Sequence, residues 1–462
     1  MLTYIFEKTK KTPLYIQLYE KMRDDILSGA IAGGDKLPSK RAFAEHLGIS
    51  KVTVEAAYSL LISEGYVYSL EKRGYFAEKD VGLPERREGA KPVSAETENE
   101  TYRIDLSSNI VPPGQFPFTV WAKLMRNVCL DYRDELLLPM PYNGAKCLRE
   151  AISGYLYEQR GMSVPTDRIL IGSGSEYLYG VIVKLLGKDK VYAAEDPAYR
   201  RIHSSYAHSG VRCIAVPVEK EGVDIKSPAV KKADVLHISP SHNFPTGIAA
   251  SPKRRREITD ALSHGEIEWI IEDDFDSELR FSGKPVPTLY SADRTGRVIY
   301  MNTFSKTIAP SIKISYLVIP EALAEKCREE VSHGGCPVPS FEQYTLAEFI
   351  SGGYFERHIS RNRKYYRTLR DRLLDVYRSS TLEGKSDIEE ADAGLHFFIN
   401  LRTEKSDAQV KKLLADKGVK SSFLSDYLSK PEAESAHRLL VNYSGLSPAD
   451  FSQALTVLDK LI

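Results

Sequence analysis

The start of the chain carries a helical pattern of apolar positions. Tyr15, Tyr19, Met22 and Ile26 recur at the spacing that places side chains on one face of a helix, and Gly29 follows where such a helix would end. The pattern predicts a first helix after Pro13, with these four residues facing a small core.

Two further helices and a hairpin follow in the pattern. Ser39 is placed to cap SKRAFAEHL, which ends at Gly48, and Ser50 is placed to cap KVTVEAAYSLLISE, which ends before Gly65. YVYSL and YFAE then flank a charged turn, which is typical of a two-stranded hairpin. Three helices and a hairpin in this order predict a winged helix-turn-helix domain over residues 1–78. A small helical capping domain with solvated charges remains the alternative.

Residues 79–102 differ from both flanks. This segment is rich in Glu, Pro, Gly and Ser and has no helical or strand period, so we interpret it as a linker. From residue 103 to 462, apolar strand-like runs alternate with helical patterns, which predicts an α/β domain with a parallel sheet.

Composition limits the class of protein. The 462 residues contain 63 basic and 63 acidic side chains, with 42% hydrophobic and 27% charged residues. These values exclude a wholly disordered, collagen-like or membrane-embedded chain, and also a globally basic protein that binds polyanions by its net charge. Residues 1–78 are also nearly balanced, with 11 basic and 10 acidic residues. Any contact with nucleic acid must therefore come from a local patch.

The cysteines and the hydropathy indicate the compartment. The chain has five cysteines, Cys129, Cys147, Cys213, Cys327 and Cys336. They form no Cys-x-x-Cys pair, which argues for a reducing environment and against a structural zinc site. The first residues lack an apolar secretory core, and no run approaches the roughly 20 apolar residues of a membrane span. We expect a cytoplasmic protein without a membrane partner.

The basic residues of the first domain are clustered. They lie at the starts of the second and third helices and at the tip of the hairpin, where a bound winged helix-turn-helix domain meets the phosphates and base edges of DNA. These residues are Lys36, Lys40, Arg41, Lys51, Lys72 and Arg73.

The strand-like runs of the larger domain end in residues that match the needs of a pyridoxal phosphate site. Such a site requires a lysine for the aldimine, a carboxylate at the ring nitrogen, an aromatic ring over the cofactor and a phosphate cradle. Lys306 in TFSK, Asp273 in EDDFD and Tyr199 in EDPAY are the candidates for the first three roles.

The remaining candidates lie in the same strand-end motifs. The GSGSE run joins a strand to a helix whose N-terminus could bind phosphate, and it supplies Gly174, Ser175 and Glu176. Thr303 and Ser305 add hydroxyls, and Asn243 could hydrogen-bond the phenolic oxygen of the cofactor.

Each motif has an ordinary alternative. A Ser-Lys pair is usually on the surface, GSGSE is usually a turn, and EDDFD is also compatible with a metal site or an exposed loop. Their common order along the chain favours the cofactor, and we predict no metal site. His203 and His242 are interpreted as structural residues, or as residues that support the site from behind, and not as catalytic residues.

The run KLPSKRAFAEHLGISKVTVEAAYSLLISEGYVYSLEKRGYFAE resembles the DNA-binding domain of the GntR superfamily, over residues 13–78. The resemblance implies that Arg41, Lys51, Thr53 and Arg73 contact operator double-stranded DNA. Lys51 stands where the family often has Arg, and lysine lacks the bidentate fork that reads guanine. The complete predicted DNA-binding set is Lys40, Arg41, Ser50, Lys51, Thr53, Lys72, Arg73 and Gly74.

The larger domain resembles the fold-type I aminotransferases from about residue 104 onward. A GntR-type domain joined to such a body is similar to the MocR family of transcription regulators. The resemblance implies a mostly parallel sheet with helices on both faces, a smaller C-terminal α+β subdomain and a homodimer with active sites between subunits. It also implies that Lys306 carries the cofactor and that Asp273 pairs with the pyridine nitrogen.

Two residues depart from the family pattern. Phe275 stands where the family usually has a Tyr whose hydroxyl touches the cofactor, and Lys313 stands where it usually has an Arg that binds phosphate. For the carboxylate of an effector, the resemblance points to Arg201 and Arg438.

The sequence thus predicts a pyridoxal phosphate-dependent DNA-binding regulator. Its body would sense a small amino compound through aldimine chemistry at Lys306. Three alternatives remain: a true aminotransferase with an accessory DNA-binding domain, a regulator that senses pyridoxal phosphate itself, and a cofactor-free scaffold that keeps only the fold.

Overall fold

The computed structural model describes residues 2–6, 12–79, 102–281, 286–389, 394–429 and 437–462. The chain divides into two compact units, Met1–Asn99 and Glu100–Ile462, called here the head and the body. The predicted linker, residues 79–102, falls almost wholly outside the described residues.

The head contains the helices and the hairpin that the sequence pattern predicts. Its elements are α1 (Leu14–Leu27), α2 (Lys40–Leu47), α3 (Lys51–Ser63), β1 (Val67–Leu70) and β2 (Gly74–Ala77). Its core includes Leu18, Met22, Phe43 and Tyr58, all fully buried. Tyr15, which the spacing placed on the buried face of α1, is exposed, and Leu18 is buried one turn further along the helix.

Local hydrogen bonds start the two central helices of the head where the caps were predicted. Ser39 Oγ accepts the Ala42 N–H at the start of α2, and Ser50 Oγ accepts the Thr53 N–H at the start of α3, 3.1 Å away. Gly48 ends α2 in the left-handed region, with φ of 63°. These caps set the tight turn that places α3 across α2.

The described strands of the body are β3 (Ile104–Asp105), β4 (Ile169–Gly172), β5 (Val191–Asp196), β6 (Arg212–Glu219), β7 (Gly222–Val223), β8 (Val235–Ile238), β9 (Trp269–Asp273), β10 (Val298–Thr303), β11 (Ser315–Val318), β12 (Ser386–Glu389), β13 (His396–Leu401), β14 (Val419–Lys420), β15 (Ser422–Phe423) and β16 (Arg438–Asn442). Its described helices are α4 (Phe118–Asp131), α5 (Lys146–Arg160), α6 (Ser175–Leu186), α7 (Arg200–His208), α8 (Pro252–Ser263), α9 (Leu289–Ala292), α10 (Ala324–Val331), α11 (Ser340–Ser351), α12 (Tyr354–Arg378), α13 (Asp407–Ala415) and α14 (Pro448–Asp459).

An eight-stranded sheet forms the centre of the body, in the order β4-β11-β10-β9-β8-β5-β6-β7. The five strands from β10 to β6 are parallel to one another, while β11 runs antiparallel to both of its neighbours. The strand-like runs predicted to end in functional residues are β4, β5, β8, β9 and β10. Four of these are consecutive neighbours, so their carboxyl ends converge at one edge of the sheet.

Helices cover both faces of this sheet. Ile169 and Ile171 of β4 pack in a core shared with α5 and α11, whereas Leu170 between them packs in a core shared with α6 and α10. This alternation follows from the period of two residues along a strand. The predicted α/β class with a mostly parallel sheet is confirmed.

A second sheet belongs to the C-terminal part of the body. It is antiparallel, in the order β12-β13-β16-β15, and packs against α12 and α14 through a separate core that includes Phe397, Val441 and Phe451. The α+β subdomain expected from the resemblance is thus present. Across the described residues, none of the helices combines the length and the apolarity needed to cross a bilayer.

Candidate functional site

A cavity of about 450 Å³ opens where β4, β5, β8, β9 and β10 end. Every residue predicted to bind the cofactor lines it, and so does Arg201. These residues are Gly174, Ser175, Glu176, Tyr199, Arg201, Asn243, Asp273, Phe275, Thr303, Ser305, Lys306 and Lys313. The topology of the sheet therefore gathers in one place residues that are up to 139 positions apart in the sequence.

Lys306 lies in the loop after β10 and reaches into the cavity. Its Nζ is 6.0 Å from the centroid of the Tyr199 ring. Burial lowers the pKa of the Lys306 ammonium below its ordinary value, and the charges of Asp276 and Asp273 oppose this shift. A larger fraction of uncharged amine makes Lys306 a better nucleophile than a solvated lysine.

Asp273, at the end of β9, is 5% exposed. Its Oδ2 accepts a hydrogen bond from the Tyr179 hydroxyl at 3.2 Å and lies 3.5 Å from His237 Nε2. Burial raises the pKa of Tyr179 well above its ordinary value, so this hydroxyl stays a donor. Asp273 Oδ1 is buried without a hydrogen-bond partner among the described residues. Asp273 can therefore accept a hydrogen bond from a ligand that carries a protonated ring nitrogen.

The N-terminus of α6 forms the second polar part of the cavity. Its cap, Gly174, has φ of 93° and ψ of 166°, a region that is essentially restricted to glycine. A Cβ placed on Gly174 would lie 3.9 Å from Lys313 Cδ, so the cationic side chain passes beside this turn. Backbone N–H groups, the hydroxyls of Ser173 and Ser175 and the charge of Lys313 suit a phosphate group.

The two hydroxyls from the β10 end are already engaged within the protein. Ser305 Oγ donates to the Ile312 carbonyl at 2.6 Å, and Thr303 Oγ1 accepts a hydrogen bond from Ser315 Oγ at 2.8 Å. The first contact ties the loop that carries Lys306 to the segment before β11, and the second joins the end of β10 to the start of β11. Their observed role is thus to hold the segment around Lys313.

Tyr199 caps α7 and leaves 41% of its surface exposed, so its ring is available to a planar ligand. Asn243 lines the cavity, but its amide donates to the Pro197 carbonyl and accepts from the Thr246 hydroxyl. Phe275 also lines the cavity, and its ring lies 6.0 Å from the ring of His242.

The two arginines predicted to bind an effector carboxylate occupy different places. Arg201 lies in the cavity wall, where it pairs with Glu176 at 2.7 Å. Arg438, at the start of β16, pairs with Glu389 at 2.5 Å and stacks over Phe398, and it is not among the residues that line the cavity.

Two histidines interpreted as structural are held by protein groups. His242 Nδ1 lies 2.8 Å from an Asp276 carboxylate oxygen, and His203 Nε2 lies 3.2 Å from the Glu195 carbonyl. In the described part of the chain, no group of three or more His, Cys, Asp or Glu side chains is arranged to hold a metal ion.

Sequence reasoning missed Glu195 and Tyr179 in the cavity wall. Glu195 is the penultimate residue of β5, two residues before Pro197, and its Oε2 accepts the Ser239 N–H at 2.9 Å. Burial raises the pKa of Glu195 to about 7, although hydrogen bonds from Asn243 and Ser239 act in the opposite direction. Its position at the end of a strand was a usable signal, since the neighbouring strand ends supplied the other site residues.

The head brings most of its predicted DNA-binding residues to the starts of α2 and α3. Lys40 Nζ pairs with Glu55 at 2.7 Å and lies over the Tyr75 ring, and Arg41 pairs with Glu45. The Ser50 and Thr53 hydroxyls are 2.8 Å apart, and the Lys51 side chain points to solvent.

The hairpin carries the rest of the predicted set. Lys72 adopts φ of 60° at its tip, followed by the exposed Arg73 and by Gly74 with φ of 109°. The turn thus presents Lys72 and Arg73 to solvent, as a DNA-contacting wing would.

The chain matches two family models. The model described as bacterial regulatory proteins, gntR family, matches residues 14–76, and that of aminotransferase class I and II matches residues 102–458. The cofactor of this aminotransferase fold is pyridoxal 5'-phosphate. The desolvated amine of Lys306, the free acceptor on Asp273, the exposed Tyr199 ring and the Gly174–Lys313 turn fit it.

Relatives are similar over the whole length. An HTH-type transcriptional regulator of Bacillus subtilis, YdeL, is 32% identical over 98% of both chains. The probable rhizopine catabolism regulatory protein MocR of Rhizobium meliloti is 28% identical over 98% of this chain and 94% of its own. The pyridoxine biosynthesis transcriptional regulator PdxR of Corynebacterium glutamicum is 28% identical over 90% and 89%.

Solved structures resemble the body. A kynurenine aminotransferase of Pyrococcus horikoshii superposes with a TM-score of 0.70 at 23% identity, covering 79% of this chain and 92% of its own. The α-aminoadipate aminotransferase LysN of Thermus thermophilus superposes with a TM-score of 0.66 at 20% identity, covering 78% and 93%. These matches establish the fold of the body. The chain therefore belongs to the MocR-type regulators of the GntR family, in which a winged helix-turn-helix head is joined to an aminotransferase class I and II body.

Proposed function

We propose that this regulator senses a small amino compound through covalent chemistry at Lys306 and thereby changes the binding of its head to operator DNA. The observation that carries the proposal is the cavity. It places a desolvated lysine amine, a carboxylate with a free acceptor and a phosphate-binding turn around one space of about 450 Å³.

Each residue has a definable task toward the cofactor. When bound, pyridoxal phosphate supplies an aldehyde that condenses with primary amines. Lys306 supplies the amine of the protein, Asp273 holds a proton on the ring nitrogen, and Tyr179 keeps the Asp273 carboxylate in place. Lys313 and the α6 N-terminus hold the phosphate, and Lys313 acts as a point charge without the bidentate geometry of arginine.

An amino compound can switch the protein only if it binds one arrangement of the dimer more tightly than another. The surroundings of Lys306 can supply such a difference. Its amine lies close to the charges of Asp273 and Asp276, so occupation or release of this amine changes the charge balance of a buried site. The Arg201–Glu176 pair in the same wall offers both charge signs to the rest of the ligand.

The test is an absorbance titration of the purified full chain with pyridoxal phosphate. We expect a visible band of lysine-bound cofactor that is absent in Lys306→Ala, while that variant keeps the circular dichroism spectrum of the wild type. Amines are then screened for a change in this band. The affinity of the protein for DNA is measured with and without each amine that changes the band. A band that persists in Lys306→Ala, or amines that change the band and leave DNA affinity unaltered, would contradict the proposal.

We also infer a cytoplasmic homodimer. Phe118 and Leu130 at the two ends of α4, together with Leu137 and Leu138 just beyond it, are large apolar side chains with more than half of their surface exposed. Exposed apolar side chains of this size suit burial against a second copy of the chain. Light scattering after size-exclusion chromatography should give twice the mass of 51.9 kDa. A monomer at micromolar concentration would refute this part.

A true aminotransferase is the second candidate. The intact arrangement of Lys306, Asp273 and Tyr179 favours it, and Phe275, which cannot donate a hydrogen bond, counts against it. Multiple turnovers of keto-acid formation with a common amino donor would establish the enzyme. Formation of at most one equivalent of keto acid per subunit would favour the amine-sensing regulator.

A sensor of pyridoxal phosphate itself is the third candidate, favoured by the similarity to PdxR, which is named a pyridoxine biosynthesis regulator. In this case operator affinity would change on addition of the cofactor alone, without any amine. The absorbance titration distinguishes this candidate when it is repeated in the presence of operator DNA.

A further inference from the structure

One apolar side chain of the head is exposed where the fold does not require it. Val52 is the second residue of α3, and 72% of its surface is accessible. The core of the head is supplied by other positions of the same helix, including Val54, Ala57 and Tyr58, each fully buried. Val52 therefore contributes little to the packing of the head.

Val52 is also a poor choice for helix stability. A β-branched side chain loses rotamer freedom in a helix, and an exposed position in the first turn is better served by Ala, Glu or Lys. Neither burial nor helix propensity accounts for valine at this position. Its surroundings offer a different reason.

The surface around Val52 is suited to a polyanion. The cationic Lys51 precedes it, and the hydroxyls of Ser50 and Thr53 lie on the same first turn. Glu55, one turn further on, is held by Lys40 at 2.7 Å, so its charge is balanced. On the described first turn of α3, an exposed apolar side chain thus lies beside polar and cationic groups.

The first turn of α3 is the part of a recognition helix that meets base edges in the major groove. The C5 methyl of thymine is the apolar feature displayed there, and apolar side chains contact it. We infer that Val52 reads a thymine methyl group in each operator half-site. The inference rests on the DNA-binding part of the proposed function and extends it to a specificity-determining residue.

The test starts from duplexes selected from a random pool by the full-length protein. Each thymine of the enriched sequence is then replaced in turn by deoxyuridine, which removes the methyl group and leaves the base-pairing groups unchanged. At one thymine per half-site we expect the wild type to lose about fourfold in affinity, the factor for returning one methyl-sized group to water. Val52→Ala should bind the two duplexes equally.

Ile62→Ala is the matched control. Ile62 is also an exposed apolar residue of α3, but it lies ten residues later, or about 15 Å along the helix axis and about 80° around it. This variant should retain the fourfold preference for thymine. Circular dichroism should show both variants folded, since each replaces an exposed side chain by a better helix former.

The outcomes separate the inference from the proposed function. If no sequence is enriched from the pool, specific operator binding itself fails, and the reading of thymine fails with it. If a sequence is enriched but deoxyuridine binds as well as thymine at every position, the role of Val52 alone is refuted. A preference for thymine that survives in Val52→Ala would refute it as well.

Discussion

Glu195 is the residue whose replacement tests the electrostatics of the cavity most directly. Its carboxyl is buried at the end of β5, and burial raises its pKa from 4.5 to about 7. Glu195→Gln keeps the size and shape of the side chain and stays uncharged at every pH. Comparison of the two proteins therefore isolates the cost of ionising this carboxyl in the folded body.

The sign of the effect follows from proton linkage. A carboxyl with a raised pKa binds its proton more tightly in the folded state, so it contributes stability at low pH that is lost as the pH rises through 7. For pKa values of 4.5 unfolded and about 7 folded, this loss is about 2–3 kcal/mol between pH 5 and pH 8. Glu195→Gln lacks this contribution, so its stability should fall less over the same interval.

The assay is urea unfolding without cofactor at pH 5 and pH 8. Both tryptophans of the chain, Trp121 and Trp269, lie in the body, so their fluorescence follows the unfolding of this unit. The quantity to compare is the change in unfolding free energy between the two pH values. Other buried carboxyls, such as Glu272, are present in both proteins, and their contributions cancel.

Between pH 5 and pH 8 the wild type should lose about 2–3 kcal/mol more unfolding free energy than Glu195→Gln. Glu272→Gln is a matched second test, because burial also raises the pKa of Glu272 to about 7. If wild type and Glu195→Gln lose the same stability between pH 5 and pH 8, Glu195 is not held protonated by burial.

Three further predictions concern separate parts of the molecule. Lys51→Ala should weaken binding to the selected duplex at least tenfold and reduce its salt dependence, because a cation at the start of α3 is lost, while the visible band of the bound cofactor stays unchanged. Gly174→Ala should lower the unfolding free energy of the body by about 1–3 kcal/mol, since φ of 93° and ψ of 166° strain any residue with a Cβ; an unchanged urea midpoint would contradict this. Arg201→Ala should weaken the effect of a carboxylate-bearing effector on the visible band, whereas Arg438→Ala, whose guanidinium pairs with Glu389 away from the cavity, should leave it unaltered.

Most local elements of the head could be predicted because their signals are short-range. The caps at Ser39 and Ser50 and the ends at Gly48 and Gly65 depend on hydrogen bonds and backbone angles within a few residues. The buried face of α1 was predicted less well. Spacing alone could not choose between Tyr15 and Leu18, because the choice depends on which side chain faces α3.

The cofactor residues of the cavity could be predicted for a different reason. Parallel strands present their carboxyl ends at one edge, so Asp273, Tyr199 and Lys306, each soon after a strand, had to converge once the strands paired. Arg438 follows no such rule. It starts an antiparallel strand of the C-terminal sheet, and its position relative to the cavity depends on how that sheet packs.

The order of the elements and the types of residue at the strand ends depend on neighbours along the chain, so they could be inferred without the fold. Which of those polar groups remain available to a ligand depends on how the chain packs. Thr303, Ser305 and Asn243 are engaged by backbone and side-chain groups of other segments, while Asp273 keeps a free acceptor and Glu195 is buried beside it. The hydrogen-bond partners lie 7 to 46 positions away along the chain, and burial depends on which strands pair, so no pattern of neighbouring residues encodes either.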